Sequence, residues 1–432
     1  MKWLTFHVEH KEMSDVSSQG GMQSLKEFKT VAILCTVPFI MVLGNSMLIP
    51  VLPTIQHQLS IGASQAGLLI TMFSIPAGLV IPFAGLLSDR IGRKPIMVPA
   101  LIVYGIGGLL AGLAAVFIEK PFYFLLAARV IQGIGAGGTY QLAMALVGDV
   151  IQGSDRAQAL GLLEASNGLG KVISPLAGAA LALITWYTPF FVYGVLALPI
   201  AIAVWLIAKE APVKKEQQQS LREYFQSFAE VMRENASVLA MTFLSGAIVL
   251  FALFGMLSYF SDILEKRFGL EVFQRGMVLA IPVFVMAAVS FILGTVLKSH
   301  MNKFLKWAIF GGLGALATGM FLFPLMNSIV TFSMAAALIG LGTGSVLPSL
   351  NTLATSVASK KSRGIVTCLY GTVRFFGVAI GPPLFGNCLK SELNERTVFW
   401  ITAAVALIIG LCAAFLVNPQ DALPDAVKSN EE

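Results

Sequence analysis

Four charged residues of the sequence lie inside long apolar stretches: Arg129, Glu164, Lys171 and Arg374. A carboxyl group among apolar side chains can bind and release a proton near neutral pH, because a low dielectric disfavours its charged form. We therefore expect Glu164 to carry protons. A buried guanidinium must face a partner or a water-filled cavity, so we expect Arg129 to take part in the coupling of proton movement to the protein's activity. Because Glu164 and Lys171 are seven residues apart, they would share one face of a helix. The alternative is a static ion pair that only stabilises the fold.

The same stretches indicate the charge of a molecule bound between the helices. Cationic residues outnumber Glu164 three to one. This excess favours an anionic or catechol-like amphipathic molecule over a simple lipophilic cation. The polar residues expected to line such a cavity are Lys171, Arg374, Asn45, Gln141, Asn167 and Asn351.

The whole chain is too apolar for a water-soluble enzyme. Of its 432 residues 56% are hydrophobic and 12% are charged, and the mean hydropathy is +0.80. Soluble domains carry about 25% charged residues, and a helix that crosses a bilayer needs about 20 apolar residues. The sequence therefore predicts an all-α polytopic membrane protein with twelve transmembrane helices. The runs lie near 31–52, 66–87, 96–118, 123–149, 157–183, 188–208, 238–260, 277–297, 304–326, 329–357, 365–388 and 398–417.

Lysine and arginine are distributed unequally between the two faces of this arrangement. With the N-terminus inside, the inner regions hold 20 of these residues, the outer loops hold 6 and the spans hold 3. Positively charged loops remain on the cytoplasmic side. We expect a protein of the cell membrane with both termini in the cytoplasm. The charged residues assigned to the outer loops include Asp262, Glu265, Lys266 and Arg275.

The two halves of the chain repeat each other at a constant offset of 207 positions. Such an offset indicates a duplicated six-helix unit, which predicts two six-helix bundles related by a pseudo-two-fold axis. This is the layout of transporters that rock two bundles around a central site. The matching pairs are Gly133 and Gly340, Arg156 and Arg363, Gly170 and Gly377, and Pro175 and Pro382.

A longer connection separates the two repeats and predicts the domain boundaries. The apolar residues Leu221, Tyr224, Phe225 and Phe228 recur at helical spacing within it. They favour an amphipathic helix on the inner membrane surface, and the alternative is a solvated linker. The predicted domains are a cytoplasmic tail over 1–29, an N-terminal bundle over 30–208, this linker over 209–237, a C-terminal bundle over 238–417 and a cytoplasmic tail over 418–432.

The connection between spans 2 and 3 carries Gly85, Asp89, Arg90, Gly92 and Arg93. Glycine permits close helix approach and a tight turn, and an aspartate at the inner face can pair with an arginine or a helix N-terminus. The pattern resembles the loop 2–3 signature of the major facilitator superfamily. The resemblance implies that these residues latch the two bundles together on the cytoplasmic side and hold the outward-open state. The alternative is a basic loop that only sets the topology.

Two further motifs narrow the resemblance to one branch of that superfamily. The segment around Arg129 in span 4 is similar to a motif of proton-coupled members. Span 5 resembles the motif of the drug:proton antiporters, which implies export, although its small residues would also suit ordinary close packing around a proline bend. The residues of this helix-packing motif and its repeat in span 11 are Gly161, Gly170, Ser174, Pro175, Gly178, Gly377 and Pro382.

These resemblances imply a proton-coupled exporter of drugs or amphipathic metabolites, including anionic, siderophore-like ones, that works by alternating access. Two alternatives stay open: an uptake symporter or facilitator of the same fold, and a non-transporting membrane sensor. The four histidines and four cysteines are scattered, so we expect no enzyme, no metal site and no cofactor. The expected partners are membrane lipid, a small-molecule substrate and protons, without nucleic acid, and the expected state is a monomer.

Overall fold

The computed structural model describes residues 28–151, 154–210, 221–299, 301–357, 363–388 and 392–416. Within these ranges every regular element is a helix. Span 1 comprises a helix over 28–46, a single 3-10 turn over Ile49–Val51 and a helix over Leu52–Leu59. Spans 2 to 12 are Ala63–Ile91, Lys94–Phe117, Phe122–Val150, Ser154–Ala182, Thr188–Ile207, Ala236–Lys266, Val272–Ser299, Met301–Leu322, Ile329–Val357, Arg363–Cys388 and Glu392–Leu416.

Eleven of these spans are long and apolar enough to cross a membrane. The remaining one is span 5, whose 29 residues include Glu164 and Lys171. It is as long as its neighbours but less apolar, as expected of a helix that borders a polar cavity. The all-helical fold with twelve spans is the predicted one.

The structure has two apolar cores, and each half of the chain supplies most of one of them. The first core contains Leu34, Phe73 and Phe190 from spans 1, 2 and 6. The second contains Phe260 and Phe399 from spans 7 and 12. Inside each bundle, aromatic and aliphatic side chains from different spans pack against one another.

A helix over Leu221–Glu234 lies in the connection between the two bundles. Val231 on this helix is buried in the second core, and Met232 packs against it. The helix is thus anchored on the C-terminal bundle. Its position on a membrane surface stays a prediction.

The two bundles meet along spans 2 and 11. We call the end of the molecule with the connection between spans 2 and 3 the inner face, and the opposite end the outer face. Thr71 Oγ1 donates to the carbonyl oxygen of Ala379 at 2.5 Å, and Thr372 Oγ1 donates to that of Gly78 at 2.8 Å. A Cβ atom on Gly67 would lie 2.6 Å from the nitrogen of Pro383, so only glycine allows this approach near the outer face.

The two bundles also meet at spans 5 and 8, and these two spans pack against each other only in their outer halves. There a Cβ atom on Gly276 would lie 2.8 Å from the carbonyl oxygen of Pro175. Toward the inner face, Gly161 and Gly168 on span 5 and Gly294 on span 8 have no other helix within 4 Å of their Cβ positions, within the part of the chain described. The gap between these spans therefore opens toward the inner face.

Spans 7 and 8 extend further toward the outer face than the hydropathy pattern indicates. Span 7 continues to Lys266 and span 8 begins at Val272. Asp262 and Arg275, expected in outer loops, are therefore parts of helices and are 1% and 2% exposed. Hydropathy averages miss such ends, because the partners that make burial of the charge tolerable come from distant parts of the chain.

Candidate functional site

Glu164 lies on span 5 beside span 4, in the half of span 5 that is separated from span 8. Its carboxylate accepts a hydrogen bond from the Tyr140 hydroxyl. Tyr140 is buried, whereas the Glu164 side chain is exposed in the gap between the bundles. A carboxylate held on one side by a phenol and open on the other can accept a second donor or a proton.

The position of Tyr140 follows from a break in span 4. The first helix ends at Gly137 and the second begins at Tyr140, because Gly138 and Thr139 leave the helical conformation. A Cβ atom on Gly137 would lie 2.6 Å from the carbonyl oxygen of Ala77, so glycine brings span 4 against span 2 here. The break thus directs Tyr140 toward span 5.

Two cations lie near Glu164 from different bundles. Lys171 on span 5 is half-buried and interacts electrostatically with Glu164 and with Arg374 of span 11. The Arg374 guanidinium lies 5.2 Å from the ring centre of Tyr370, which also interacts with Glu164. The structure therefore places Glu164, Lys171 and Arg374 near one another, together with Tyr140 and Tyr370. We call these five residues the central cluster.

The four amide side chains expected in the cavity occupy different places. Arg374 Nη1 lies 3.4 Å from Asn351 Oδ1, so Asn351 borders the central cluster. The Gln141 amide lies 2.9 Å from the Cβ position of Gly371 and so reaches across to span 11. Asn167 is buried on span 5. Asn45 instead belongs to a separate cluster inside the N-terminal bundle.

Arg129 is fully buried in that separate cluster. Its Nε donates to the carbonyl oxygen of Leu69 at 2.9 Å, and its Nη1 lies 2.5 Å from Gln132 Oε1. Its Nη2 donates to Asn45 Oδ1. All these partners are neutral and belong to spans 1, 2 and 4, so the described contacts of Arg129 join helices within one bundle and do not include Glu164.

The charged residues at the inner face form a second group of contacts. Arg93 pairs with Asp89, and its Nε lies 3.0 Å from Asp149 Oδ2. Burial alone would lower the pKa of Arg93, but the two carboxylates outweigh it and hold this pKa above its usual value. These ion pairs join spans 2, 3 and 4 of the N-terminal bundle. Arg90 also has a partner.

The inner-face motif touches the other bundle through its first glycine. A Cβ atom on Gly85 would lie 2.9 Å from Cys368 Sγ of span 11. Gly92 has a φ of 108°, a conformation that favours glycine, and it turns the chain so that Lys94 N donates to Glu210 Oε1 at 3.0 Å. The motif therefore fixes the inner ends of spans 2 to 4 as one unit, and Glu210 is a partner that sequence reasoning missed.

The small residues of span 5 pack against two neighbours. Gly178 backs onto the carbonyl of Met47 in span 1, and Ser174 Oγ donates to the carbonyl of Gly170. In span 11 Gly377 backs in the same way onto Ala247 of span 7. Pro175 and Pro382 lie at the crossings with spans 8 and 2 described above. Gly161 faces open space.

Sequence reasoning missed the two tyrosines of the central cluster. The sequence has 8 tyrosines and 30 phenylalanines, and most aromatic residues in such helices pack or face lipid. The spacing between Tyr140 and the glycines of span 4 does not indicate that this tyrosine belongs to a site. Only the break at Gly138 could have indicated that this side chain departs from the helical pattern.

Comparison with known proteins identifies the family. The sequence model described as Major Facilitator Superfamily matches residues 34–382. A protein of Bacillus subtilis named bacillibactin exporter is 35% identical over 407 residues, which cover 94% of this chain and 98% of that protein. Multidrug resistance protein 1 of the same organism is 27% identical over an alignment that covers 88% of this chain and 94% of that protein.

Solved structures show the same fold. The crystal structure of a human organic anion transporter superposes with a TM-score of 0.71 at 20% identity, covering 90% of this chain and 99% of that chain. A bacterial homologue of the human lysosomal transporter Spinster, inward-facing and unoccupied, gives a TM-score of 0.74 at 18% identity, covering 92% of this chain and 98% of that chain. The chain therefore belongs to the Major Facilitator Superfamily, within which its relatives include a protein named as an exporter.

Proposed function

We propose that this protein exports amphipathic metabolites that are anionic or carry catechol-like hydroxyl groups, in exchange for protons. The observation that carries the proposal is the central cluster. It contains one carboxylate, two cations and two phenols between the bundles, beside the gap between spans 5 and 8.

Glu164 is the proposed proton carrier. Its carboxylate already accepts a hydrogen bond from a phenol, that of Tyr140, and has an open side. A hydroxyl group of the substrate donates most strongly to that open side while Glu164 is deprotonated, because a bound proton occupies the same side and leaves a neutral, weaker acceptor. Substrate and proton therefore compete for one group, which is the requirement for exchange. Glu164 takes up its proton while the site faces outward and releases it while the site faces inward.

The charges around Glu164 support the substrate class. Lys171 and Arg374 exceed the single carboxylate by one positive charge, and they approach it from opposite bundles. An anionic group bound between them would draw the bundles together. The stacked rings of Tyr370 and Phe243, with centroids 6.4 Å apart, offer an apolar surface for the rest of such a molecule.

The inner-face motif supports an alternating-access cycle. The ion pairs of Arg93 with Asp89 and Asp149 hold the inner ends of three spans together, so that they move as a unit. Gly85 already contacts span 11 in this conformation, and in the outward-open state the unit would close further against that bundle. We further propose that the inner face is cytoplasmic, that the protein resides in the cell membrane and that it acts as a monomer.

The direction and substrate class are tested in everted membrane vesicles from cells that overproduce the protein. With a proton gradient imposed, native protein is expected to accumulate radiolabelled bacillibactin, and an uncoupler should abolish this accumulation. Tetraphenylphosphonium, a lipophilic cation, should accumulate much less. Accumulation in right-side-out vesicles instead would overturn export in favour of uptake.

The carrier is tested with a matched pair of carboxylate variants. Glu164→Gln keeps the shape and the hydrogen-bond acceptor but cannot exchange a proton, so gradient-driven accumulation should fall to the level of empty vesicles. Glu119→Gln removes an exposed outer carboxylate and should behave like native protein. Undiminished transport by Glu164→Gln would remove Glu164 from the mechanism.

A further inference from the structure

The outer part of span 1 docks on the opposite bundle. We call residues 49–59, the 3-10 turn and short helix that follow the end of the first helix at residue 46, the outer segment. Two of its apolar residues, Ile49 and Leu52, are buried in the core of the C-terminal bundle. The outer segment therefore belongs to one bundle by sequence and packs into the other, across the outer side of the cavity.

Polar contacts reinforce this docking. Gln56 Nε2 donates to Asp262 Oδ1 of span 7 at 2.8 Å, and Arg275 Nη2 of span 8 donates to Thr54 Oγ1 at 2.8 Å. His57 Nε2 lies 3.4 Å from Glu265 Oε2 of span 7. Each of these three contacts joins the outer segment to a charged residue of the other bundle.

The two carboxylates in this group differ in how well they are neutralised. Glu265 Oε1 lies 2.5 Å from the buried guanidinium of Arg275. Asp262 is 1% exposed, yet the cation nearest to it in the described contacts is Lys266 Nζ at 3.4 Å, on a side chain that is 46% exposed. Protonation of Asp262 therefore removes a weaker ion pair than protonation of Glu265 would remove.

Solvent reaches the partners of Asp262 from the outer face. A pocket with a volume of about 400 Å³ opens on that face, and both Gln56 and Lys266 line it. The other titratable groups that interact with Asp262 are Glu265 on its own helix and Arg275 on span 8. Tyr259 also interacts with Asp262, and Tyr259 is in turn hydrogen-bonded to Glu395 of span 12. A proton can thus arrive from outside without passing the central cluster.

We propose that Asp262 is a second proton-binding site, open to the outer face, whose protonation releases the outer segment and favours opening of that face. The hydrogen bond from Gln56 is charge-assisted while Asp262 is ionised, and such bonds are about twice as strong as neutral ones. Protonation removes this contribution and the attraction to Lys266 together.

The proton on Asp262 enters and leaves on the same side of the membrane, so it is not transported. It sets how readily the outer face opens, whereas Glu164 carries the proton that crosses. This division rests on the proposed function for the role of Glu164 but not for the response of the outer segment itself. Protonation of His57 would strengthen its pair with Glu265, so opening in acid cannot arise from His57.

The outer segment is monitored by a distance measurement that does not depend on transport. Spin labels are placed at Gln58→Cys and Phe273→Cys, both exposed, in full-length protein lacking Cys35, Cys368, Cys388 and Cys412 and reconstituted in lipid nanodiscs. At pH 7.5 we expect one short distance, and at pH 5 a second, longer distance. Asp262→Asn should show the longer distance already at pH 7.5 and no further response to acid.

Three companion variants make the result decisive. Gln56→Ala removes the contact from the other side and should also give the longer distance at pH 7.5. Glu119→Gln, the exposed outer carboxylate, and Glu164→Gln should both respond to acid like native protein. A distance unaffected by acid and by Asp262→Asn would overturn the proposal. So would an acid response that persists in Asp262→Asn, since it would assign the proton to another group.

Discussion

At the scale of single residues, the proposed proton exchange depends on the contact between Tyr140 and Glu164. The phenol stabilises the ionised carboxylate, and hydrogen bonds to charged groups contribute about 1.5–3 kcal/mol. The contact joins two helices of one bundle, while Arg374 faces it from the other. A change in how the bundles meet therefore changes the surroundings of the carboxylate directly.

Replacing Tyr140 by phenylalanine tests this contact. Tyr140→Phe removes the donor that holds the Glu164 carboxylate in place, so the carboxylate is less well positioned to exchange with substrate. Gradient-driven accumulation should fall about tenfold, since the loss of one hydrogen bond to a charged group costs about 1.5 kcal/mol. Tyr370→Phe is the matched control, because the Tyr370 hydroxyl has no hydrogen-bond partner among the described residues. An equal loss of accumulation in both variants would contradict a specific role for Tyr140.

Arg129 is expected to act on stability more than on coupling. Its three hydrogen bonds to neutral acceptors cannot all be made by the single ammonium group of Arg129→Lys. We expect a loss of about 2–4 kcal/mol in the free energy of unfolding, seen as a lower melting temperature in detergent. Arg233→Lys, on the exposed face of the linker helix, should melt like native protein. A variant of Arg129 that melts normally but transports without protons would restore its role in coupling.

The residues found from sequence are those whose charge stands out in an apolar helix. Glu164, Lys171 and Arg374 were identified in this way, and the structure brings them together. Arg129 stands out equally, yet it turns into its own bundle, because helix rotation and the reach of neighbouring amides decide which way a side chain points. Tyr140 and Asp262 gave no comparable signal, one being an aromatic among many and the other lying at a helix end.

At the scale of helices, the glycines of span 5 divide into two classes that sequence cannot separate. Gly178 is pressed against the backbone of span 1, whereas Gly161 faces open space. Both belong to the same motif, and the repeat offset gives no indication of the difference. Only the relative positions of spans 1, 5 and 8 reveal which glycine is needed for packing.

Alanine substitutions of these two glycines should therefore differ. Gly178→Ala forces span 5 away from span 1 and should greatly reduce the amount of folded protein in the membrane. Gly161→Ala meets no obstacle in this conformation and should fold normally, with a small gain because alanine is favoured over glycine in a helix by about 1 kcal/mol. Fluorescence-detected size-exclusion chromatography measures both. Equal yields of the two variants would contradict the packing described for span 5.

The inner-face motif is a second case in which helices act as a unit. Asp89→Asn removes one of the two carboxylates that hold Arg93. Because Asp89 and Asp149 are both partly exposed, we expect a change of less than about 1 kcal/mol in stability, but a several-fold loss of transport. Glu230→Gln, an exposed carboxylate of the linker helix, should change neither. Native transport rates in Asp89→Asn would show that the motif serves topology alone.

At the scale of the whole molecule, two features define the conformation of this structure. The outer segment closes the outer face, and spans 5 and 8 part toward the inner face. Composition predicts the twelve spans and the repeat at 207 positions predicts the two bundles, since both are patterns spread over many residues. They do not predict which face is closed, because that depends on single contacts between residues more than 200 positions apart, such as Gln56 and Asp262.

Proton movement driven by substrate alone tests the central claim most directly. Purified protein is reconstituted in liposomes that contain a pH-sensitive dye, and a bacillibactin gradient is imposed without a pH gradient. Exchange at Glu164 predicts that protons move against the direction of bacillibactin in native protein and not in Glu164→Gln. Bacillibactin flux without proton movement in native protein, or proton movement that persists in Glu164→Gln, would contradict the account.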